Sequence, residues 1–233
     1  MQQIQLYRSF PAACNYIPGN DTINLIIDPE LTLPASKYEE LLVQGFRRSG
    51  KMMYRPDCEN CSACIPTRIP VAQFKPRRNQ RRCLKNNQDL NMTLSDANFT
   101  EEHYQLYQRY LASQHSGGGM DNPSEETFTD FLCQRTDMAL FLEFRNDHGE
   151  LLCVACTDRL PGSLSAVYTW YAPEEKQRGL GVFAILKQIQ LARELKLGHL
   201  YLGYWIESSP KMSYKTDYQP CELYQDHHWE LQA

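Results

Sequence analysis

The fold is decided by the stretch Lys176-Gln177-Arg178-Gly179-Leu180-Gly181, which joins a set of predicted strands to a predicted helix. Apolar residues recur at helical spacing over residues 182–196, and Gly198 ends this pattern. A strand is predicted after it, at residues 199–205. Three alternating apolar segments with turn residues between them come before the loop, at residues 138–145, 151–158 and 164–171. The chain is therefore expected to form an antiparallel β-meander, a glycine loop, an amphipathic helix and a further strand.

This order of elements resembles the core of the GCN5-related N-acyltransferases. The loop resembles the pyrophosphate signature of that family, with Lys176 in place of its first residue. Glycines at a helix N-terminus expose backbone N–H groups, so the amides of Gly179 and Gly181 are candidates to hold a phosphate or a polarised carbonyl. A strand-to-helix turn with no further role is the alternative.

An earlier helix is predicted to begin with a capping box formed by Ser36 and Glu39. Its apolar spacing runs on to Gly50, so Arg47 and Arg48 are expected at its C-terminal end. There they would either complement the helix dipole or add to a basic surface.

A block of arginines, Lys75-Pro76-Arg77-Arg78-Asn79-Gln80-Arg81-Arg82, follows a predicted strand at residues 67–74 and is expected to open a helix. The formal net charge of the chain is −4, so the block concentrates positive charge on an acidic protein. Guanidinium groups pair with phosphate in a bidentate way, which points to RNA. The candidate phosphate-binding residues are Arg77, Arg78, Arg81 and Arg82. A solvated surface helix is the alternative.

Three cysteines at two-residue intervals, Cys58, Cys61 and Cys64, precede the arginine block. Their sulfurs could share a zinc ion or an iron–sulfur cluster if Cys14 supplied a fourth ligand, so these four thiols are expected to converge. Packed or free thiols are the alternative, and near the arginines they would sense oxidation through lowered pKa values. The nine cysteines favour a reducing compartment, so we expect a cytoplasmic protein.

A chain of 233 residues can form one large domain or two smaller ones. We expect a boundary between residues 99 and 100, with the cysteines and arginines in 1–99 and the meander in 100–233. A loop is predicted at Gly117-Gly118-Gly119. No apolar run approaches the roughly 18 residues that span a bilayer, so no membrane partner is expected.

Motifs along nearly the whole chain together resemble the aminoacyl-tRNA protein transferases. They are Cys14-Asn15-Tyr16-Ile17-Pro18, Arg47-Arg48-Ser49-Gly50, the cysteine triplet, the arginine block, Leu200-Tyr201-Leu202-Gly203-Tyr204-Trp205-Ile206 and Pro210-Lys211-Met212-Ser213-Tyr214-Lys215. The short chain and Gln80-Arg81-Arg82 look more like the bacterial aspartate/glutamate leucyltransferases than the larger, related eukaryotic arginyltransferases. The resemblance implies an α+β fold of two GCN5-related N-acyltransferase-like modules, each a mixed sheet with flanking helices.

The resemblance also implies an activity. A member of this family transfers leucine from leucyl-tRNA to the N-terminal Asp or Glu of an acceptor protein, which marks the acceptor for the N-degron pathway. The transfer requires no cofactor because the ester is already activated. A metal at the cysteines would act only through the fold of the first module.

Aminoacyl transfer needs hydrogen-bond donors for an oxyanion and good positioning of the attacking amine. The candidate catalytic groups are the phenols of Tyr168, Tyr171 and Tyr204 and the amides of Gly179 and Gly181. Strand packing is the alternative for each tyrosine. The candidate substrate-binding residues beyond the arginine block are Trp205, Lys211, Met212, Tyr214 and Lys215.

The acidic side chain of the acceptor requires a cation, for which Lys211, Lys215 and Arg78 are candidates, with surface solvation as the alternative. One position departs from the family pattern, because Ala172 stands where an Asp is common. Either no carboxylate is strictly required there, or a neighbour such as Glu174 or Glu175 replaces it, or activity is lost.

Three other functions remain open at the level of the sequence. An arginyl-tRNA protein transferase would share the same motifs. An acyl-CoA-dependent N-acetyltransferase would share the fold and the loop. A noncatalytic RNA-binding or metal-binding adaptor would use the arginines and the thiols.

Overall fold

A computed structural model describes residues 4–114 and 123–232 of the chain, arranged in three sheets and five α-helices. A four-stranded sheet contains β1 (Leu6–Arg8), β4 (Asn24–Ile27), β6 (Met52–Pro56) and β5 (Arg47–Ser49), in that order. A two-stranded sheet contains β2 (Ala12–Ala13) and β3 (Asp21–Thr22). The predicted loop at residues 117–119 lies outside the described residues.

An eight-stranded sheet forms the centre of the protein. Its strands, in spatial order, are β14 (His228–Gln232), β13 (Cys221–Gln225), β7 (Ile65–Pro70), β12 (His199–Trp205), β11 (Ser163–Tyr171), β10 (Leu151–Arg159), β9 (Ala139–Arg145) and β8 (Asn91–Asp96). The helices are α1 (Ala35–Val43), α2 (Arg78–Asn86), α3 (Glu101–Gln114), α4 (Glu125–Leu132) and α5 (Leu180–Glu194). Two 3₁₀-helices span Pro173–Arg178 and Ser213–Asp217.

The predicted order of meander, glycine loop, helix and strand is confirmed. Strands β9, β10 and β11 form antiparallel pairs, α5 follows the loop, and β12 then pairs with β11 in parallel. The central sheet is therefore mixed, as expected, whereas every pairing in the four-stranded sheet is antiparallel.

The chain before residue 100 contributes to both large sheets. Strands β7 and β8 belong to the central sheet, where β7 lies between β12 and β13 and β8 forms the edge beside β9. The division into modules at residues 99 and 100 stays a prediction.

The main hydrophobic core packs one face of α5 and the aromatic residues of α3 and α4 against the central sheet. The apolar stripe predicted for α5 is buried at Phe183, Ile185, Leu186 and Ile189. Each such side chain contributes about 1.5–3 kcal/mol when fully buried. Within the described residues, no helix is long and apolar enough to cross a membrane.

The predicted position of Arg47 and Arg48 at a helix end is wrong. Helix α1 ends at Val43, because Gly45 adopts a positive φ of 85° that breaks the helical path. Both arginines therefore lie on β5, and both are buried. Neither role considered for them from the sequence, dipole partner or basic surface, applies.

The predicted capping box at Ser36 is also wrong. The N-cap of α1 is Pro34, which makes no side-chain capping bond. The carboxylate of Glu39 instead accepts hydrogen bonds from the backbone N–H of Gly162 and the hydroxyl of Ser163. Glu39 thus joins the first helix to the turn between β10 and β11.

Candidate functional site

The central sheet opens between β11 and β12. These strands pair only at Ser163 with His199, Leu164 with Leu200, and Ser165 with Tyr201. Beyond these pairs β11 continues to Tyr171 and β12 to Trp205 with no further pairing between them. The two strand edges thus border a gap in which backbone polar groups can meet a ligand.

Two irregularities separate the strands. Where β11 pairs with β10, Cys156 is opposite Tyr168 and Thr157 is opposite Ala166, so Val167 is an extra residue. On β12 the register against β7 shifts beside Gly203, whose φ is +86°. Bulges bend strands and are frequent next to active sites. The gap is therefore bordered by an irregular strand on each side, β11 with its bulge at Val167 and β12 with its register shift beside Gly203.

The guanidinium of Arg47 reaches from β5 to the point where the strands part. Its Nη1 donates to the hydroxyl of Ser165 at 2.9 Å, and its Nη2 donates to the carbonyl oxygen of Ala166 at 2.6 Å. A Cβ atom at Gly203 would lie 3.1 Å from Nε of Arg47. Glycine is thus required at this position both for its positive φ and for the close approach of the arginine.

Lys215 is a second buried cation in this region, only 5% exposed. Its Nζ donates to the carbonyl oxygen of Tyr204 at 2.6 Å and lies 3.6 Å from the sulfur of Met212. Burial, and then the charge of Arg47, lower the pKa of Lys215 to about 7. Surface solvation, the alternative considered from the sequence, does not apply to Lys215.

Other predicted substrate-binding residues surround Lys215. The indole N–H of Trp205 donates to the carbonyl oxygen of Ser213 at 3.2 Å, which ties the end of β12 to the second 3₁₀-helix. Lys211 is exposed, and the ring of Tyr214 is partly exposed, 6.0 Å from Nζ of Lys215. Substrate contact by these residues stays a prediction.

Tyrosine rings line the β11 side of the site. Tyr110 of α3 packs edge-on against Tyr171, with ring centroids 4.8 Å apart, and against Tyr168 at 6.4 Å. Burial raises the pKa of Tyr110, Tyr168 and Tyr171, so these phenols remain protonated at neutral pH. They can therefore act as hydrogen-bond donors. Tyr110 was not among the residues predicted from the sequence, because its spacing is that of an ordinary core position of α3.

Tyr204 has a different environment from Tyr168 and Tyr171. Its hydroxyl lies 2.9 Å from the carbonyl oxygen of Gly45 and 3.2 Å from that of Tyr54. The single phenolic hydrogen is therefore already directed at the backbone of the first sheet. A catalytic role for Tyr204 stays a prediction.

The glycine loop borders the site at the end of β11. Gly179 has a φ of +68° and is the N-cap of α5, and a Cβ at Gly181 would lie 3.7 Å from the ring of Tyr171. Helix α2 braces the loop, since Asn87 donates to the carbonyl oxygen of Arg178 at 3.0 Å and accepts from its Nε at 2.9 Å. Of the two candidate amides, that of Gly181 thus lies next to Tyr171, whereas the N–H of Gly179 donates to the carbonyl oxygen of Lys176 at 3.2 Å and is not available as predicted.

Ala172, which stands where an Asp is common in the family, lies in the protein interior. Ala172 is fully buried, and its N–H donates to the carbonyl oxygen of Leu152. The two acidic neighbours lie on the surface, where Glu174 pairs with Arg109 at 2.6 Å and Glu175 lies 3.8 Å from Arg178. A role for either glutamate as a base stays a prediction.

Helix α2 carries the arginine block, as predicted. Arg78, Arg81, Arg82 and Lys85 are exposed, and their spacing places them on one face of the helix. Arg77, the N-cap, is also exposed and lies 3.8 Å from Asp217. Helix α2 contacts the glycine loop through Cys83 and Asn87, so a polyanion bound along its basic face would pass near the gap.

We expect the double replacement Arg81→Ala/Arg82→Ala to weaken tRNA binding and to lower its salt dependence by about 0.7–0.9 slope units for each phosphate group that the variant no longer binds. Filter binding over a range of salt concentrations measures both. Arg159→Ala is the matched control, because Arg159 is exposed at the opposite end of the meander. An unchanged salt slope in the double variant would exclude this face as the tRNA-binding surface.

The four cysteines line one cavity of about 570 Å³, together with Tyr54 and Tyr204. They are Cys14, Cys58, Cys61 and Cys64. The four thiols thus converge, as predicted, in the sense that all of them line the same cavity. Within the described ranges, however, no three His, Cys, Asp or Glu side chains are grouped closely enough to hold a metal ion.

The electrostatic environment of Cys64 differs from the one predicted. Burial, followed by the neighbouring Cys58, Cys14 and Cys61, raises the pKa of Cys64 to about 11. A lowered pKa near the arginines is therefore wrong for Cys64. Binding of zinc or an iron–sulfur cluster stays a prediction, which metal analysis of anaerobically purified protein can decide.

The parted strands, the glycine loop and the adjacent basic helix together define an acyltransferase class of site. The sequence matches two family models, "Arginine-tRNA-protein transferase, N terminus" over residues 12–82 and "Arginine-tRNA-protein transferase, C terminus" over residues 102–225. The chain belongs to this family, the aminoacyl-tRNA protein transferases, as its motifs predicted.

Full-length relatives carry the name aspartate/glutamate leucyltransferase. That of Pseudomonas fluorescens strain SBW25 is 47% identical over 229 residues, which cover 98% of this chain and 97% of the relative. That of Nitrosococcus oceani is 45% identical over 225 residues, covering 97% and 94%. Among solved structures, FemX is similar with a TM-score of 0.47 and 8% identity, covering 86% of this chain and 79% of that chain.

Proposed function

We propose that the protein transfers leucine from leucyl-tRNA to the N-terminal Asp or Glu of acceptor proteins and so marks them for the N-degron pathway. The observation that carries this proposal is the 47% identity, over 98% of the chain, to a relative named aspartate/glutamate leucyltransferase. The exposed arginine face beside the glycine loop supports a tRNA as the donor.

The reaction joins an amine to an activated ester. The neutral α-amine of the acceptor attacks the carbonyl carbon of the leucyl ester, and a tetrahedral oxyanion forms. The new C–N bond stays while the bond from carbon to the ribose oxygen breaks. The proton lost by the attacking nitrogen ends on the departing ribose hydroxyl, so no oxidant, reductant or nucleotide is consumed.

The described residues supply what this reaction needs. Protonated phenols at Tyr168 and Tyr171 would be hydrogen-bond donors for the oxyanion, together with the backbone amide of Gly181, whereas the N–H of Gly179 already donates to the carbonyl oxygen of Lys176. Holding both substrates in the gap makes the attack effectively intramolecular, which can lower the barrier by several kcal/mol. The donor arm would run along α2, past the loop.

A buried cation supports the choice of an acidic acceptor. Lys215 lies in the site without a carboxylate partner among the described residues, whereas Lys211 and Arg78 are exposed. A site built to pair a carboxylate rejects a neutral analogue, because the desolvated cation is then left unpaired. Peptides that begin with Gln should therefore be poor acceptors.

A filter assay with purified protein, charged tRNA and short peptides tests the proposal. Radioactive leucine is expected to move from leucyl-tRNA to peptides that begin with Asp or Glu, with at least about tenfold lower transfer to peptides that begin with Gln or Lys. Equal rates on Glu-starting and Gln-starting peptides would contradict the acceptor specificity.

Two further arms of the assay separate the alternatives. Arginyl-tRNA is tested in parallel because the matching family models are described as arginine-tRNA-protein transferases. Acetyl-CoA with the same peptides tests for an N-acetyltransferase. Transfer from either of these donors and none from leucyl-tRNA would overturn the proposal, and binding of tRNA with no transfer at all would favour an adaptor.

A further inference from the structure

The site contains more buried positive charge than negative charge. Arg47, Arg48 and Lys215 are buried, and of these three the buried carboxylate of Asp158 pairs with Arg48 alone. Asp158 is held by Arg48 through two hydrogen bonds of 2.7 and 2.6 Å. Arg47 donates only to a hydroxyl and a carbonyl oxygen and forms no ion pair within the described residues.

Such an arrangement is costly in a protein without a ligand. A buried guanidinium without a counter-ion loses its hydration and gains only partial compensation from neutral acceptors. Arg47 is 9% exposed, so the guanidinium is largely, but not completely, removed from solvent. Two of its five N–H donors are directed at neutral acceptors, which hold the guanidinium in place, and the other three can meet a carboxylate. The site is therefore ready for an anion.

A cavity lies beside this position: Arg47 does not line it, but Tyr54, which pairs with Arg47 across β5 and β6, does. The rings of Tyr54 and Tyr204 lie 6.0 Å apart, and both line the cavity of about 570 Å³. Burial raises the pKa of both phenols, and the charge of Arg47 acts against this rise at each of them. A short peptide N-terminus in the cavity would thus lie within electrostatic reach of Arg47.

We propose that Arg47 binds the side-chain carboxylate of the acceptor's first residue and so determines the specificity for acidic N-termini. This inference rests on the proposed function. The nearby cation Lys215 adds to the positive potential, which attracts the carboxylate and favours the neutral, nucleophilic form of the acceptor amine. The same potential repels the ammonium group of the leucyl donor, so the donor amine is kept away from the carboxylate position.

The test compares Arg47→Met with wild type on matched peptides that begin with Glu or Gln, at one concentration of leucyl-tRNA. We expect kcat/KM for the Glu peptide to fall about 100-fold, mainly through KM, with little change for the Gln peptide. The Glu-to-Gln preference should collapse while the Kd for tRNA stays constant. Arg47→Lys should restore part of the preference.

Arg135→Met is the matched control. Arg135 is 8% exposed, similar to Arg47, but it pairs with Asp137 and donates to the carbonyl oxygen of Leu33. Its replacement should lower stability without changing the Glu-to-Gln preference. If Arg47→Met does not fold, Ser165→Ala removes one hydrogen bond of Arg47 and keeps its charge, and it should raise KM for the Glu peptide several-fold.

The outcomes distinguish this inference from the proposed function. Equal losses on both peptides would assign Arg47 a structural role and overturn the inference. A weaker Kd for tRNA with unchanged acceptor preference would identify the anion as a phosphate, which would also overturn it. If wild type itself shows no preference for Glu, the proposed function fails before Arg47 is considered.

Discussion

Replacement of Asp158 by Asn is expected to lower the free energy of unfolding by about 3–5 kcal/mol. The side chains of Asp158 and Arg48 are 0% and 1% exposed, and Tyr38 donates a further hydrogen bond of 3.1 Å to the carboxylate. Asn keeps the size of the side chain but leaves the guanidinium of Arg48 buried without a counter-charge. Urea unfolding at neutral pH measures the loss.

Two other variants show whether the charge or the packing is responsible. The double variant Arg48→Met/Asp158→Leu should lose less stability than Asp158→Asn, because no unpaired charge remains. Asp57→Asn is the exposed control, since Asp57 pairs with Arg8 where both side chains are about half exposed, and it should cost less than about 1 kcal/mol. An Asp158→Asn loss no larger than this control would contradict the argument.

Lys215→Met is expected to change how stability depends on pH. The pKa of Lys215 is about 7 in the folded protein and near 10.5 in the unfolded chain, so between these values the unfolded chain binds one more proton. The unfolding free energy of wild type relative to the variant should therefore rise by about 1.4 kcal/mol per pH unit between pH values of about 7 and 10. Below pH 7 the unfolding free energy of wild type relative to the variant should be constant and at its lowest. In this range the ammonium group is charged in both states, and its burial opposes folding.

Urea unfolding at several pH values measures this difference. Lys211→Met is the matched control, since Lys211 is an exposed lysine four residues earlier. This control removes a lysine side chain at an exposed position, so only the Lys215 variant removes a buried ammonium group. A flat difference for Lys215→Met would show that the ammonium group is not desolvated in the folded protein.

The element order was predictable because it depends on local periodicity. Apolar residues alternate along the strands of the meander and recur at helical spacing in α5, which indicates that one face of each element is buried. The structure confirms these elements. The solvent exposure of the arginines on α2 could also be predicted, because four cations at helical spacing are expected to face solvent.

The part of the site near the gap was not predictable in the same way. Arg47 and Arg48 follow an apolar helix at a spacing that also suits a helix end, and only the positive φ of Gly45 places them on a strand. The bulge at Val167 depends on register with a neighbouring strand, which no local pattern encodes. The burial of Lys215 arises because the second 3₁₀-helix lies against the end of β12, a packing that the polar segment around this lysine did not indicate.

The place of β7 in the central sheet has a consequence for biosynthesis. This strand, Ile65–Pro70, lies between β12 and β13, whose residues 199–205 and 221–225 are translated only after the meander and α5. The apolar side chains of Ile69, Val71 and Phe74 belong to the main core, so their packing stays incomplete until α5 and β12 have been translated. Long-range strand pairing of this kind forms slowly and exposes the nascent chain to aggregation and to chaperones.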